Sequence, residues 1–357
     1  MTRRTLLSLV PFSALAAVNR QTRRRTTRPL NAAGEFVRFT DPVTENIVVR
    51  LTRPSSQSFL PETENRFVSS REAFLVLASD RTGAFAPFHA NLRSGMITQI
   101  AEASALQRRS LALDAREHEL YFLDGDSLRA VSLPHGKPKT IADSVTGYHL
   151  GGRSNTLVIR QDDKLYRWTS GARQHLADGA SSRGVVNPLE NGCFFLRGDT
   201  EDAKEIWYVS FRGDKPKLLA KGSISSPYWR PDGETVLFLN RVNRRSYIAS
   251  IVCEAALDGS PAREVVETSQ FACFAPNSNG SVFVGASQSK AQPDIVILLR
   301  GAKREMVLCE HRAANPRAVC PAFSPNSQRV YFQSDHEGKS SLYSVNVEWL
   351  VTETEDT

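Results

Sequence analysis

Short apolar runs separated by polar turns recur along this chain. Each run has three or four residues, is rich in β-branched and aromatic side chains, and is followed by a second strand-like stretch. Successive runs lie roughly 40 residues apart, which is the period of solenoids and β-propellers, and their composition excludes helical repeats. The runs lie at 74–77, 120–123, 157–159, 193–196, 236–239, 281–284 and 330–332.

The repeat predicts an all-β fold, a seven-bladed β-propeller, because a four-stranded blade takes about 40–45 residues. Turn sequences such as Asp124-Gly125-Asp126 supply the positive-φ and side-chain-bonded corners that tight hairpins need. A count of six blades stays open if the third or fourth unit is irregular.

The last repeat unit, at about 311–350, contains three clear strand patterns. Residues 36–39 and 47–51, on either side of the Asp41-Pro42 turn, form a further strand–turn–strand pattern. Pairing this pattern with the last unit would close the ring and cover two sheet edges. We therefore expect the last blade to be closed by an N-terminal strand.

The formal net charge of +7 comes from the N-terminal segment. The chain has 45 Lys and Arg residues against 38 Asp and Glu residues, and residues 1–30 hold seven arginines and no acid. The remaining 38 basic residues therefore balance the 38 acidic ones. A nucleic-acid-binding domain needs a basic surface of its own, so no nucleic-acid partner is expected.

The N-terminal segment predicts export. Residues 1–18 combine Arg3-Arg4, a short apolar stretch and small residues, as a signal peptide does, and the start also resembles a twin-arginine signal. A disordered basic tail is the alternative. The apolar stretch is too short to span a bilayer, so no transmembrane segment is expected. We expect a periplasmic or secreted protein with a signal peptide at 1–18, a basic linker at 19–34, one propeller domain at 35–350 and an acidic tail at 351–357.

The five cysteines are scattered and form no Cys-x-x-Cys pair, which argues against a zinc knuckle. Several of them lie within apolar strand patterns. Buried free thiols are therefore the favoured interpretation, although an exported protein could oxidise a pair.

Three short segments resemble the repeats of TolB-like propellers: Asp-Arg-Thr-Gly at 80–83, Pro-Asp-Gly at 231–233 and Phe-Ser-Pro-Asn at 323–326. Residues 39–52 and 65–81 narrow the resemblance, because they are similar to the opening of bacterial oligogalacturonate lyases. This resemblance implies a seven-bladed propeller that cuts short pectin fragments by β-elimination with a divalent metal, typically manganese.

The resemblance also implies a metal site of three histidines and one glutamine. The last-blade pattern of the family, Gln-x-x-His-x-His-Pro-x-Phe-Ser-Pro, aligns with the Pro and Phe-Ser-Pro at 321–325 and places the ligands at Asn315, Ala318 and Cys320. The preceding blade should offer a further histidine, but residues 270–273 contain none. Asn315 and Cys320 are thus the remaining candidate ligands, and the changed positions favour weak binding of Mn²⁺ or none.

Arginines recur just before the inner strands of the predicted blades, where a propeller gathers its loops at one end of the channel. A guanidinium group matches a carboxylate in a bidentate way, so this pattern predicts a positively charged funnel for an acidic oligosaccharide. Solvated or ion-paired loop arginines are the alternative. The candidate substrate-binding residues are Arg66, Arg108, Arg109, Arg317, Tyr228 and Gln270.

Elimination from a uronate needs a base at C5 and a cation that stabilises the developing enolate. His149 and Arg183 occupy pre-strand positions and are the candidate catalytic residues. A structural role for His149 remains the alternative.

Two functions follow from these observations. The first is an exported oligogalacturonate-lyase-like propeller that binds, and in an active form cleaves, acidic oligosaccharides from pectin. The second is a non-catalytic, TolB-like propeller that binds a glycan or an envelope protein. The fold alone does not choose between them, since function depends on the site.

Overall fold

The chain folds into antiparallel β-sheets. A computed structural model describes residues 31–32, 34–169, 172–200, 202–269 and 271–348. The only other regular element named within these ranges is a turn of 3-10 helix at Pro316–Ala318. The predicted all-β class is therefore confirmed.

The strands alternate with short turns throughout. In the first half they are β1 (Asn31–Ala32), β2 (Val37–Thr40), β3 (Ile47–Arg50), β4 (Ser58–Phe59), β5 (Phe74–Ser79), β6 (Ala86–Asn91), β7 (Ile97–Gln99), β8 (Ala112–Leu113), β9 (Glu119–Asp124), β10 (Ser127–Ser132), β11 (Lys139–Ala142), β12 (Gly147–Leu150), β13 (Leu157–Gln161), β14 (Lys164–Thr169) and β15 (Ala172–Ala177). In the second half they are β16 (Val185–Val186), β17 (Gly192–Arg197), β18 (Lys204–Ser210), β19 (Lys217–Trp229), β20 (Thr235–Asn243), β21 (Ile248–Ala256), β22 (Arg263–Thr268), β23 (Phe271–Pro276), β24 (Val282–Ser287), β25 (Asp294–Leu299), β26 (Arg304–Glu310), β27 (Ala322–Phe323), β28 (Arg329–Ser334) and β29 (Ser341–Asn346).

Within the described ranges, the strands form six hydrogen-bonded sheets. Their strand orders are β1-β7-β6-β5-β4, β11-β10-β9-β8, β12-β13-β14-β15, β16 through β22 in sequence, β23-β24-β25-β26, and β2-β3-β29-β28-β27. The fourth sheet is long because β19 takes part in two strand pairs. Its first part, from Lys217 to Gly222, pairs with β18, and its second part, from Ser223 to Trp229, pairs with β20. The predicted count of seven blades corresponds to dividing this sheet at β19, and it stays a prediction.

Hydrogen bonds join each sheet to the next around a common centre. They link Arg66–Leu113, Ser110–Tyr148, His149–Val186, Arg241–Gln288, Ser278–Ser327 and Ser58–Ser340, in order from the first sheet through the sixth and back to the first. The sheets therefore close into a ring, with β4, β8, β12, β16, the end of β19, β23 and β27 as inner strands.

The N-terminal strand completes the last sheet, as predicted. β3 pairs antiparallel with β29, and β2 lies outside β3. The turn between β2 and β3 is also tied to the neighbouring sheet, since Thr44 and Asn46 donate to the carbonyl of Leu308 at 2.7 and 2.9 Å. This arrangement joins the two ends of the folded body, which is how a closed ring removes an exposed edge.

The apolar runs form the core between adjacent sheets. The run Leu75–Ala78 in β5 is buried without interruption, because both faces of a blade pack against neighbouring blades. Large aromatic side chains such as Phe122, Phe195 and Phe283 fill the spaces between sheets. The repeat in the sequence therefore marks strands that are buried on both faces.

Several predictions concern regions outside the described residues. The predicted signal peptide and acidic tail lie there, and the proposed domain boundaries stay predictions. At the end of the predicted linker, Asn31–Ala32 pairs with the edge of β7.

Among the described residues, no helix has the length and hydrophobicity to cross a membrane. All five cysteines are free thiols.

Candidate functional site

The centre of the ring is occupied by the segment from Glu62 to Arg66, which runs between β4 and β5. We call the end of the ring at which the chain enters the inner strands the entry end. Glu62 lies near this end, and the segment then crosses the centre. Thr63 hydrogen-bonds to the hydroxyl of Tyr228, on the far side of the ring. The segment therefore contacts residues from several blades at once.

Arg183 makes several polar contacts around this segment. Its guanidinium donates to Glu64 and to the side chain of Asn65, each at 3.0 Å, and to the carbonyl of Tyr148 at 3.4 Å. The Glu64 and Arg183 side chains are each only 16% exposed. Burial raises the pKa of Glu64 above its usual range, although Arg183 acts in the opposite direction. The candidate catalytic Arg183 is thus held inside the protein.

His149 is buried, and both of its ring nitrogens are engaged. Nδ1 accepts the backbone N–H of Val186 at 3.2 Å, so Nε2 carries the proton and donates to the Glu64 carbonyl at 3.2 Å. Burial, together with the nearby Arg183 charge, lowers the pKa of His149 to about 3. This geometry favours a structural histidine that joins blades, rather than the base predicted from the sequence.

Arg109 lies at the entry end of the same centre. Its Nε is 3.1 Å from a carboxylate oxygen of Glu62, so the two side chains form an ion pair. Burial acts to lower the pKa of Arg109, but the pKa is raised, and the Glu62 carboxylate acts in that direction. Arg109 therefore carries a fixed positive charge in this position.

Arg109 and Arg183 share an open cleft of about 270 Å³, which we call the first cleft. Ligand pockets commonly start at about 300 Å³, so the first cleft has room for one small group. Its lining residues are Glu62, Gln107, Arg109, Ser110, Leu123, Thr146, Gly147, Tyr148 and Arg183.

The other predicted arginines do not converge on the first cleft. Arg66 points to the opposite end of the ring, where it contacts the Ala115 carbonyl at 3.2 Å and Glu117 at 3.7 Å. Arg108 stacks over the rings of Phe59 and Phe85. The predicted funnel is therefore corrected: among these arginines, only Arg109 and Arg183 line one cleft, and each is paired with a glutamate.

Of the remaining candidates, Tyr228 is buried and hydrogen-bonded to Thr63, and Arg317 is exposed at the entry end. Gln270 lies outside the described residues. Burial raises the pKa of Tyr228 well above its usual value, so its hydroxyl stays protonated. Tyr228 therefore contributes a neutral, hydrogen-bonded side chain to the centre of the ring.

The residues at the implied metal positions do not fit Mn²⁺. The Asn315 side-chain oxygen accepts the backbone N–H of Arg317 at 3.1 Å, and Ala318 has no side-chain donor. Burial raises the pKa of the Cys320 thiol, and the adjacent Arg109 is a cation that would repel a metal ion. No group of three or more His, Cys, Asp or Glu side chains in the described ranges could hold a metal.

Sequence reasoning missed Glu62 and Glu64, which determine the charge of the centre. Both are acidic residues that lie three and five positions after the end of β4. The signal that could have identified them is that two acids lie close together between apolar residues such as Leu60 and Phe67, because acids are rarely buried without a partner.

Comparison with known proteins supports the fold. No protein-family model and no curated protein sequence matches the chain. An oligogalacturonate lyase from Vibrio parahaemolyticus superposes with a TM-score of 0.80 at 17% identity, covering 90% of this chain and 99% of that one. The chain has the fold of the oligogalacturonate lyases. The resemblance found in the sequence is thus confirmed at the level of the fold.

Two further solved structures show how closely this chain superposes on a second lyase and on another β-propeller. An oligogalacturonate lyase in complex with manganese gives a TM-score of 0.78 at 15% identity, covering 90% of this chain and 98% of that one. A β-propeller domain from Myceliophteria thermophila gives 0.54 at 13% identity, covering 82% and 99%. The two lyase structures therefore superpose on this chain better than this propeller domain does.

Proposed function

We propose that this chain is a seven-bladed propeller that binds the carboxylate of an acidic oligosaccharide, without metal-dependent cleavage. The observation that carries the proposal is that Arg109 lines the first cleft beside a partly exposed Glu62. Cys320 stands where the family resemblance implies a metal-ligating histidine, and in this proposal the Arg109 guanidinium supplies the positive charge instead of a metal. A guanidinium binds a carboxylate through two parallel hydrogen bonds and needs no metal.

The ion pair of Arg109 is suited to exchange with a ligand. The side chains of Arg109 and Glu62 are 35% and 38% exposed, and half-exposed pairs of this kind contribute about 0–1 kcal/mol. A ligand carboxylate can therefore replace Glu62 at little cost. Arg183 is different, because Glu64 and Asn65 hold it in place and make it a fixed wall of the first cleft.

The base that the sequence predicts for elimination is already engaged at this site. His149 is neutral and both ring nitrogens are occupied, so it cannot take a proton from a sugar without breaking a blade contact. A cation that stabilises an enolate must also be matched by a base within reach of C5. Binding of an acidic sugar, rather than its cleavage, is the function that these contacts support.

The predicted signal peptide is consistent with this proposal, since an exported propeller would meet pectin fragments outside the cytoplasm. A periplasmic or secreted location is therefore part of the proposal. A protein partner in the envelope is the competing outcome.

The test is calorimetric titration of the purified chain with digalacturonate, with and without MnCl₂, alongside absorbance of the unsaturated product. We expect saturable binding that is independent of manganese and no product. Manganese-dependent product would overturn the non-catalytic assignment, and the absence of binding under both conditions would favour the protein partner.

A further inference from the structure

A second cleft opens at the end of the ring opposite the entry end, and we call it the far cleft. Its volume is about 290 Å³, close to the size at which ligand pockets begin, so it has room for one molecule of amino-acid size. It shares no lining residue with the first cleft. Half of its described lining is apolar, from the inner parts of the first, second, third and sixth sheets: Phe67, Val68, Leu113, Leu150, Phe323 and Pro325.

Glu64 contributes a carboxylate to the far cleft. One of its oxygens, Oε2, accepts the hydrogen bond from Arg183 at 3.0 Å. The other oxygen, Oε1, accepts no hydrogen bond from any part of the chain that the structure describes, and it is not sealed from solvent. A charged N–H donor makes the strongest hydrogen bond to such an oxygen, so Oε1 is suited to an ammonium group.

Arg66 contributes the opposite charge. Its Nη1 donates to the carbonyl of Ala115 at 3.2 Å and lies 3.7 Å from Glu117, whose carboxylate already accepts the backbone N–H of Ser70 at 2.6 Å. Its Nη2 has no hydrogen-bond acceptor among the described residues, and the side chain is 35% exposed. A guanidinium held at one nitrogen can still bind a ligand carboxylate through the rest of its planar group.

Gly152 keeps the space beside Arg66 open. A Cβ added to Gly152 would meet only Nη2 of Arg66, at 4.0 Å, and the backbone here is outside the left-handed region, so any residue can adopt it. A side chain at position 152 would therefore enter the far cleft without straining the chain. Because glycine has none, Nη2 stays accessible from the cleft.

We infer that the far cleft binds a free aliphatic α-amino acid. Its carboxylate binds Arg66, its ammonium group donates to Oε1 of Glu64, and its side chain packs against the apolar lining. A simple carboxylate would leave Oε1 of Glu64 unpaired, and a simple amine would leave Nη2 of Arg66 unpaired. The inference goes beyond the proposed function, because it concerns a different cleft and a different class of ligand.

The test is calorimetric titration of the purified chain with L-leucine, L-leucinamide and 4-methylpentanoate. L-Leucinamide lacks the carboxylate, 4-methylpentanoate lacks the ammonium group, and all three carry the same apolar side chain. We expect L-leucine to bind saturably and each analogue to bind at least about tenfold more weakly, because each leaves one charged group of the cleft unpaired.

Two variants assign the binding to this cleft. Arg66→Gln should weaken L-leucine binding at least about tenfold but leave the affinity for L-leucinamide unchanged, because the amide forms no ion pair with Arg66. Gly152→Trp should abolish L-leucine binding by filling the cleft. Gly301→Trp is the matched control, because Gly301 lies in the turn between β25 and β26, outside the cleft, and a Cβ added there meets no atom within 4 Å.

An analogue that binds as tightly as L-leucine would overturn the amino acid as the ligand. Unchanged L-leucine binding in Gly152→Trp, with a wild-type melting temperature, would overturn the site. If wild type binds no L-leucine at millimolar concentration, the inference fails as well. None of these results bears on digalacturonate binding, which is measured at the first cleft.

Discussion

Glu64 accepts a hydrogen bond from Arg183 at 3.0 Å, although 119 residues separate them in the chain. The pair lies at the centre of the ring, and the same Glu64 accepts a bond from His149 through its backbone carbonyl. One residue of the first sheet thus holds side chains from the third and fourth.

We predict that this pair stabilises the ring. Arg183→Met should lower the free energy of unfolding by about 3 kcal/mol, because it leaves a buried carboxylate without its partner. The double variant Glu64→Leu with Arg183→Met should recover most of this loss. Urea unfolding followed by circular dichroism measures both values.

The control for this pair is Arg66→Gln, which breaks the contact with Glu117 at the surface. It should change stability by less than about 1 kcal/mol. Equal effects of Arg183→Met and Arg66→Gln would contradict a special role for the central pair.

We predict a pH dependence that arises from His149. Its pKa is about 3 in the folded state and near 6.5 when unfolded, so the unfolded chain binds the extra proton first as the pH falls. The stabilisation by neutral His149 is complete above pH 6.5 and is lost progressively between pH 6.5 and 3. At pH 4 the loss should be about 3 kcal/mol.

The measurement is the free energy of unfolding from pH 4 to pH 8 for wild type and His149→Gln. The variant should be less stable at pH 7 and should show a smaller slope between pH 4 and 6.5. Other histidines, such as His311, contribute equally to both proteins. Parallel curves would show that His149 does not cause the pH dependence.

We predict that Arg109 binds an acidic sugar through the two parallel N–H donors of its planar guanidinium group. Arg109→Gln should weaken digalacturonate binding at least tenfold, and Arg109→Lys should restore only part of the loss. The control is Arg230→Gln, since Arg230 pairs with Asp232 in a turn at the opposite end of the ring. Calorimetric affinities that are the same in Arg109→Gln and Arg230→Gln would remove Arg109 from the site.

We predict that the N-terminal hairpin is required for a stable ring. Removal of residues 1–51 deletes β1, β2 and β3, along with the buried side chains of Val48 and Leu51. Each such side chain contributes about 1.5–3 kcal/mol, and the edge of β29 becomes exposed. The truncated chain should melt well below the full chain or aggregate on purification.

Removal of residues 1–30 alone is the control, because it keeps all of the described strands. Thermal melts of the two truncations make the comparison. A 1–51 deletion that melts with the full chain would show that β29 needs no partner.

The repeat and its closure could be predicted because they depend on local patterns. Runs such as Leu75–Ala78 are long enough to bury a strand on both faces, and polar turns separate them. The strand pattern near Ile47 matched the unit missing from the last repeat. The blade count was harder, since β19 continues without a turn from one strand pair into the next.

The chemistry of the site could be predicted only in part. Arg109 and Arg183 do share a cleft, as their positions before inner strands indicated. Arg66 lies at the other end, because the chain crosses the centre between Glu62 and Arg66.

The sequence by itself determined that this protein is a ring of sheets, joined where its first strands meet its last. Hydrophobic periodicity determines this fold, because the apolar pattern of each strand can be read from a few neighbouring residues. Only the tertiary structure decided which charges are neutralised and which stay open to a ligand. That outcome depends on the distances between side chains far apart in the chain, because ion pairing acts over a few ångströms and only the closed ring brings Glu64 to Arg183.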